Sequence, residues 1–241
     1  MKHIGIIPAR YASTRFPGKP LALIGGKPMI QVVYEHALEA ALDLVAVATD
    51  DERIAECIRS IGGTVVMTRP DHPSGTDRCG EAADKLQLLD EDVVINIQGD
   101  EPFISRNEIG LLARMFERPE VNIATLVKPL DQQEAQNPNK VKTVTSFQQK
   151  ALYFSRYPIP FVRDAQDPAP AYRQHLGIYA YRCGTLRKLV RLQPSPLEKS
   201  EKLEQLRWLE NGFDIFTALC NYQGTGIDTP EDLERLNRQK P

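Results

Sequence analysis

Short β-branched apolar runs alternate, along the first half of the chain, with segments whose apolar residues recur at helical spacing. Residues 4–7, 44–48, 64–67 and 93–97 predict buried strands, and residues 29–41 and 52–61 predict helices between them. Strands that are apolar on both faces need helices on both sides. This rhythm therefore predicts an α/β fold built on an open, doubly wound, mostly parallel sheet. After about residue 120 the pattern becomes mixed. Residues 123–127 and 141–147 predict strands, Gln148-Gln149-Lys150 a turn, and residues 151–155 the returning strand. Helices are expected at 185–192 and 199–211, the second carrying Leu203, Leu206 and Leu209 and stopping at Gly212. Residues 158–171 hold four prolines among few apolar residues, which predicts a surface loop able to act as a lid. A single domain of 241 residues is expected, with halves at 1–120 and 121–241.

Composition narrows the partners. With 41% hydrophobic and 26% charged residues the chain is neither disordered nor fibrous, and a net charge of -2 gives no bulk attraction for nucleic acid. Any anion site must then be a local cluster of Lys and Arg. Cys57, Cys79, Cys183 and Cys220 lack the close pairing of zinc or redox motifs, and four free thiols suit a reducing compartment. The opening MKHIGIIPAR is too short for a secretory core, and nowhere is there an apolar run of about 18 residues, so a cytoplasmic protein without membrane insertion is expected.

The candidate chemistry begins directly after the first strand, where PARYASTRFPGKP at 8–20 places Arg10, Arg15 and Lys19 in one loop. Ligands of open α/β sheets bind at the carboxyl ends of the strands. Arginine forks match phosphate oxygens, lysine adds a compact charge, and Gly18 lets the backbone approach closely, which together suit a polyphosphate. The spacing is neither that of a Walker loop nor that of GxGxxG. The fourth predicted strand ends in QGDEP at 98–102, which brings Asp100 to the same edge; magnesium is usually held by one or two carboxylates plus phosphates and water. Asp228, in GTGIDTPEDLER at 224–235, is a second carboxylate candidate. Read alone, however, Asp228 or Thr229 before Pro230 favours a helix cap.

Five segments, in order and across nearly the whole chain, resemble the 3-deoxy-manno-octulosonate cytidylyltransferase (CMP-Kdo synthetase) family: the loop at 8–20, TRPDHPSGTDR at 68–78, QGDEP at 98–102, RQHLGIY at 173–179 and GTGIDTPEDLER at 224–235. The resemblance implies a fold of the nucleotide-diphospho-sugar transferase type, with residues 1–120 binding nucleotide and 121–241 forming the sugar pocket and a dimer face. It implies transfer of CMP from CTP to Kdo, the eight-carbon acid of lipopolysaccharide, with magnesium as cofactor and a homodimer as the working unit. Arg10, Arg15 and Lys19 would grip the triphosphate, with Pro8 and Ala9 beside it and Ser74 and Gly75 near the cytosine. Lys19, Arg10 and Asp100 would be catalytic, and Asp100 with Asp228 would bind the metal. Gln98, Arg156, His175, Tyr179, Glu204 and Gln205 would line the sugar-acid pocket.

The residues themselves leave that pocket open to plainer readings. Arg156 has the fork of a carboxylate binder but equally suits a surface; His175 suits a hydrogen-bonded structural role; Glu204 and Gln205 suit a solvated helix face; and Tyr179 suits core packing. An enzyme acting on 8-amino-Kdo or sialic acid would share the nucleotide half. A glycosyltransferase would consume the finished nucleotide sugar, and a binding module would bind CTP without releasing pyrophosphate.

Overall fold

The computed structural model describes residues 1–12, 16–164, 171–224, 226–227 and 229–239. In chain order the elements are β1 (His3–Ala9), β2 (Leu23–Ile24), β3 (Lys27–Pro28), α1 (Met29–Leu38), β4 (Leu44–Thr49), α2 (Glu52–Ser60), β5 (Thr64–Met67), α3 (Gly75–Lys85), β6 (Val93–Asn96) and α4 (Arg106–Met115). Then follow β7 (Ile123–Leu130), β8 (Lys142–Thr145), β9 (Ala151–Ser155), β10 (Tyr172–Arg182), α5 (Cys183–Leu189), α6 (Pro196–Glu201), α7 (Gln205–Glu210), β11 (Phe216–Leu219) and α8 (Pro230–Gln239).

The main sheet runs β11-β7-β10-β6-β1-β4-β5, with β8 pairing β10 and β9 pairing β8. β1 is parallel to β4 and β6, β4 to β5, and β11 to β7. Only β10 breaks the parallel path, lying antiparallel between β6 and β7. The fold is thus the expected α/β type with a mostly parallel sheet. Alternation along each strand feeds two apolar layers. Ile7 and Ile95 pack with α1, α2 and α4 on one face, while Ile6 and Val94 pack with α3, α5 and α7 on the other.

One expected element is corrected. The apolar pattern at 199–211 predicts a single helix, but the structure holds two, α6 and α7, separated at Lys202, whose φ of 54° ends the first. Pro196 at the first turn and a capping box between Ser195 and Glu198 start α6 earlier than the leucine spacing suggests. The break lets Glu204 and Gln205 turn toward the sheet edge instead of lying on a solvated helix face. Among the described residues no helix is long and apolar enough to cross a membrane.

Candidate active site

β1 and β6 lie side by side and parallel, so their carboxyl ends emerge together and set the basic loop beside Gln98, Gly99 and Asp100. The loop is anchored locally. Gly18 adopts φ 73° and donates its N–H to the Tyr11 carbonyl at 3.0 Å, a conformation that disfavours any side chain, and the Arg53 guanidinium stacks 3.3 Å from the Tyr11 ring centre. Pro20 is buried in the short 3₁₀ turn that follows, which holds Lys19 with its Nζ 2.8 Å from Asp100 Oδ2.

Around this pair lies a cavity of about 240 Å³. Pro8, Ala9, Arg10, Lys19, Ser74, Gly75 and Asp100, all expected at the nucleotide site, line it. Arg15 lies outside the described residues. Ser74 caps α3 by accepting from the Asp77 N–H at 3.1 Å, so the positive end of that helix faces the same space. Two ionisable lining residues escaped the sequence reading. Arg78 is 3% exposed, donates to the Thr68 hydroxyl at 2.5 Å and faces Asp50 at 2.9 Å. Its place four residues after the Ser74 cap was the available signal, since i and i+4 share a helix face. His72 also lines the cavity and bonds Glu81. Burial pushes the Glu81 carboxyl up, but hydrogen bonds from Lys85, the Arg69 backbone and His72 prevail and hold it at about 2.

A second cavity of about 410 Å³ shares Gly75, Gln98 and Asp100 with the first and continues toward β10 and α7. Gln98, His175, Tyr179, Glu204 and Gln205 line it, together with Thr76, Asn96, Asn139 and Gln174. The structure does not bring Arg156 there. Its Nε donates to the Glu201 carbonyl at 2.7 Å and its Nη1 to that of Pro138 at 3.1 Å, so the guanidinium ties the end of β9 to α6. The Glu204 carboxylate accepts from the Ser74 hydroxyl at 2.9 Å and the Thr76 hydroxyl at 2.8 Å; burial raises its pKa, and those two bonds with Arg207 oppose the rise. Tyr179 and Gln205 are 6% and 5% exposed, and Tyr179 Oη and Gln205 Nε2 find no hydrogen-bond partner among the described residues. Buried donors without partners are costly, so their presence beside a cavity marks a place for oxygen-rich ligand groups. His175 is pushed down by burial to about 3 and is neutral at pH 7, too weak to serve as a base.

The C-terminal acidic segment returns to the same edge. The Ile227 N–H donates to the Asp100 carbonyl at 3.0 Å, and the Tyr222 hydroxyl donates to Glu101 Oε2 at 2.7 Å. A Cβ on Gly226 would come within 3.0 Å of Glu101 Oε1, so glycine permits this approach. Thr229 forms the cap of α8, exchanging bonds with Asp232 at 3.1 and 3.3 Å. Asp228 lies outside the described residues. Among those that are described, no group of three or more His, Cys, Asp or Glu encloses a metal. Asp100, partly open to solvent beside Lys19, offers the kind of carboxylate oxygen that suits a hard cation such as magnesium.

The sequence profile of the cytidylyltransferase family matches residues 4–215. The chain is 52% identical to the 3-deoxy-manno-octulosonate cytidylyltransferase of Phocaeicola vulgatus, over 98% of its own length and 96% of the relative's. It is also 52% identical to the protein of the same name from Syntrophobacter fumaroxidans, again over 98% and 96%. A solved structure of CMP:2-keto-3-deoxy-manno-octonic acid synthetase complexed with CTP superposes with a TM-score of 0.93 at 45% identity, covering 99% of this chain and 98% of that one.

Proposed function

The chain belongs to the cytidylyltransferase family, and we infer that it transfers CMP from CTP to the anomeric hydroxyl of Kdo, releasing pyrophosphate, as a step of lipopolysaccharide biosynthesis. The observation that carries this reading is the junction of two cavities at Gly75, Gln98 and Asp100, one lined by cations and a helix N-terminus, the other by unpartnered donors. A triphosphate fits the first and a polyhydroxylated acid the second, so the α-phosphorus and the attacking hydroxyl meet at Asp100.

The anomeric oxygen attacks the α-phosphorus in line as the bond to the pyrophosphate oxygen breaks, and the hydroxyl proton passes to solvent. Arg10 and Lys19 neutralise the phosphate oxygens, with Arg15 and Arg78 as further cations, and Ser74 and Gly75 close the base end. Gln98, Tyr179, Glu204 and Gln205 orient the sugar acid. With both reactants held in place, catalysis is mainly positioning and charge neutralisation, and no covalent intermediate on the enzyme is required. Asp100 and Asp228 would hold a magnesium ion, a reading supported by the bond from Ile227, the residue before Asp228 in the chain, to the Asp100 carbonyl. When bound, the ion supplies stabilisation of the charge that develops on the phosphates. Two further readings go with this one: the enzyme works as a homodimer and resides in the cytoplasm, the latter supported by four free thiols.

The direct test is pyrophosphate release by purified protein with magnesium and each nucleoside triphosphate, with and without Kdo. Release that requires both CTP and Kdo is expected. Faster release with 8-amino-Kdo or sialic acid would reassign the acceptor, and release with neither acid would end the reading.

A further inference from the structure

His175 enters the second cavity from β10, just before a bulge in its pairing with β7 between Leu176 and Tyr179. The ring is fixed in place by the edge of Phe154, 4.9 Å between centres, and by Tyr179 at 5.2 Å. Its Nε2 lies 3.1 Å from the Thr125 hydroxyl oxygen. Thr125 is fully buried on β7 opposite the bulge, and the same oxygen lies 2.8 Å from the Ile178 carbonyl oxygen and 3.1 Å from that of Leu176.

Counting protons settles the direction of these bonds. A hydroxyl has one proton to donate, and carbonyl oxygens only accept. The Thr125 proton must therefore go to the carbonyl pair, nearest Ile178. If it pointed at His175 instead, both carbonyl oxygens would face hydroxyl lone pairs within hydrogen-bonding distance, at a buried site without compensation. The remaining contact runs from an Nε2–H of His175 to the Thr125 oxygen. A neutral imidazole protonated at Nε2 carries a bare lone pair at Nδ1, and the two nitrogens point to roughly opposite sides of the ring. With Nε2 engaged at the bulge and the ring lining the cavity, Nδ1 is the nitrogen left to meet a group in the cavity.

We propose that Thr125 is a positioning residue, whose hydroxyl locks His175 as the Nε2–H tautomer so that Nδ1 accepts a hydrogen bond from a hydroxyl of the sugar acid. The occupant of that contact is a hydroxyl and not the carboxylate, because a carboxylate has no proton to give. The bulge has a role in this arrangement: it leaves the Leu176 and Ile178 carbonyls to be met by a side-chain hydroxyl, which is then free only to accept from the ring.

This inference rests on the sugar-acid reading of the second cavity, yet the tautomer itself needs no substrate. Long-range proton–nitrogen NMR of histidine-labelled, ligand-free protein at pH 7 reads it directly, with His175 assigned by comparison with a His175→Asn sample. The expected spectrum places the proton on Nε2, retains that pattern in Thr125→Ser and loses it in Thr125→Val. In kinetics, Thr125→Val is expected to raise the KM for Kdo about tenfold while the KM for CTP changes less than about twofold, with Thr125→Ser restoring the parent value. A wild-type proton on Nδ1, or a folded Thr125→Val with unchanged KM for Kdo, would overturn the proposal. Should Thr125→Val fail to fold, the wild-type spectrum alone decides. Loss of Kdo-dependent pyrophosphate release in the parent protein would instead remove the substrate reading and leave the tautomer standing.

Discussion

Lys19 Nζ sits 2.8 Å from Asp100 Oδ2, joining the loop after β1 to the end of β6 across 81 positions of sequence. The contact brings a cation from the basic loop and a carboxylate from the strand end to one point, where the two cavities meet.

If Asp100 acts chiefly on the transition state, Asp100→Ala should lower kcat by about a hundredfold or more while the KM for CTP moves by less than about threefold. Lys19→Met should slow turnover in the same direction. Chelation with EDTA should stop the parent enzyme and added magnesium should restore it. A kcat for Asp100→Ala within a few-fold of the parent would remove this residue from the metal site.

Glu81 predicts a pH dependence of stability. Its folded pKa of about 2 lies below the ordinary value of 4.5, so the folded chain holds that proton less tightly than the unfolded chain does. The contribution is therefore complete above pH 4.5 and fades as the pH falls toward 2. Glu81→Gln should cost about 2 kcal/mol at pH 7 and progressively less through that window. Urea unfolding at a series of pH values checks it, and a difference that does not shrink on acidification would contradict the electrostatic account.

The β8–β9 hairpin leaves Phe147 and Leu152 largely exposed, at 107% and 61%, and its turn docks on edge strand β11 through the Lys150–Phe216 bridge, near exposed Leu219. Apolar groups of this size on an outer strand pair are a suitable face for a second copy. Light scattering should report twice the chain mass of 27.1 kDa, and Leu152→Glu should shift the protein toward the monomer. A parent protein of single-chain mass would set the dimer aside.

Much of the nucleotide half was legible in the sequence, because its signals are local. Continuous apolar strands at 44–48 and 64–67 state their own burial on both faces, and the edge rule for parallel sheets then puts whatever follows β1 and β6 together. That is why Arg10, Lys19 and Asp100 were identifiable before any coordinates, as was the turn at Gln148-Gln149-Lys150.

The sugar-acid half was less legible, because its geometry depends on which side chain meets which neighbour. Leucine spacing at 203, 206 and 209 describes a helix, and only the left-handed Lys202 and the earlier start at Pro196 break it so that Glu204 and Gln205 turn inward. Arg156 has the same composition whether it points to a ligand or, as here, to the Glu201 and Pro138 carbonyls. Arg78 shares a helix face with the Ser74 cap, but only its burial beside Thr68 and Asp50 shows that it belongs to the cavity wall.

By itself, then, the sequence determined the α/β rhythm, the cationic loop and the acidic strand end, since periodicity and turn chemistry act between residues close in the chain. Tertiary structure decided the antiparallel insertion of β10, the bulge that meets Thr125 and the junction of the two cavities. Those features arise from contacts between segments as far apart as β6 and β10, whose relative direction and register no local pattern encodes.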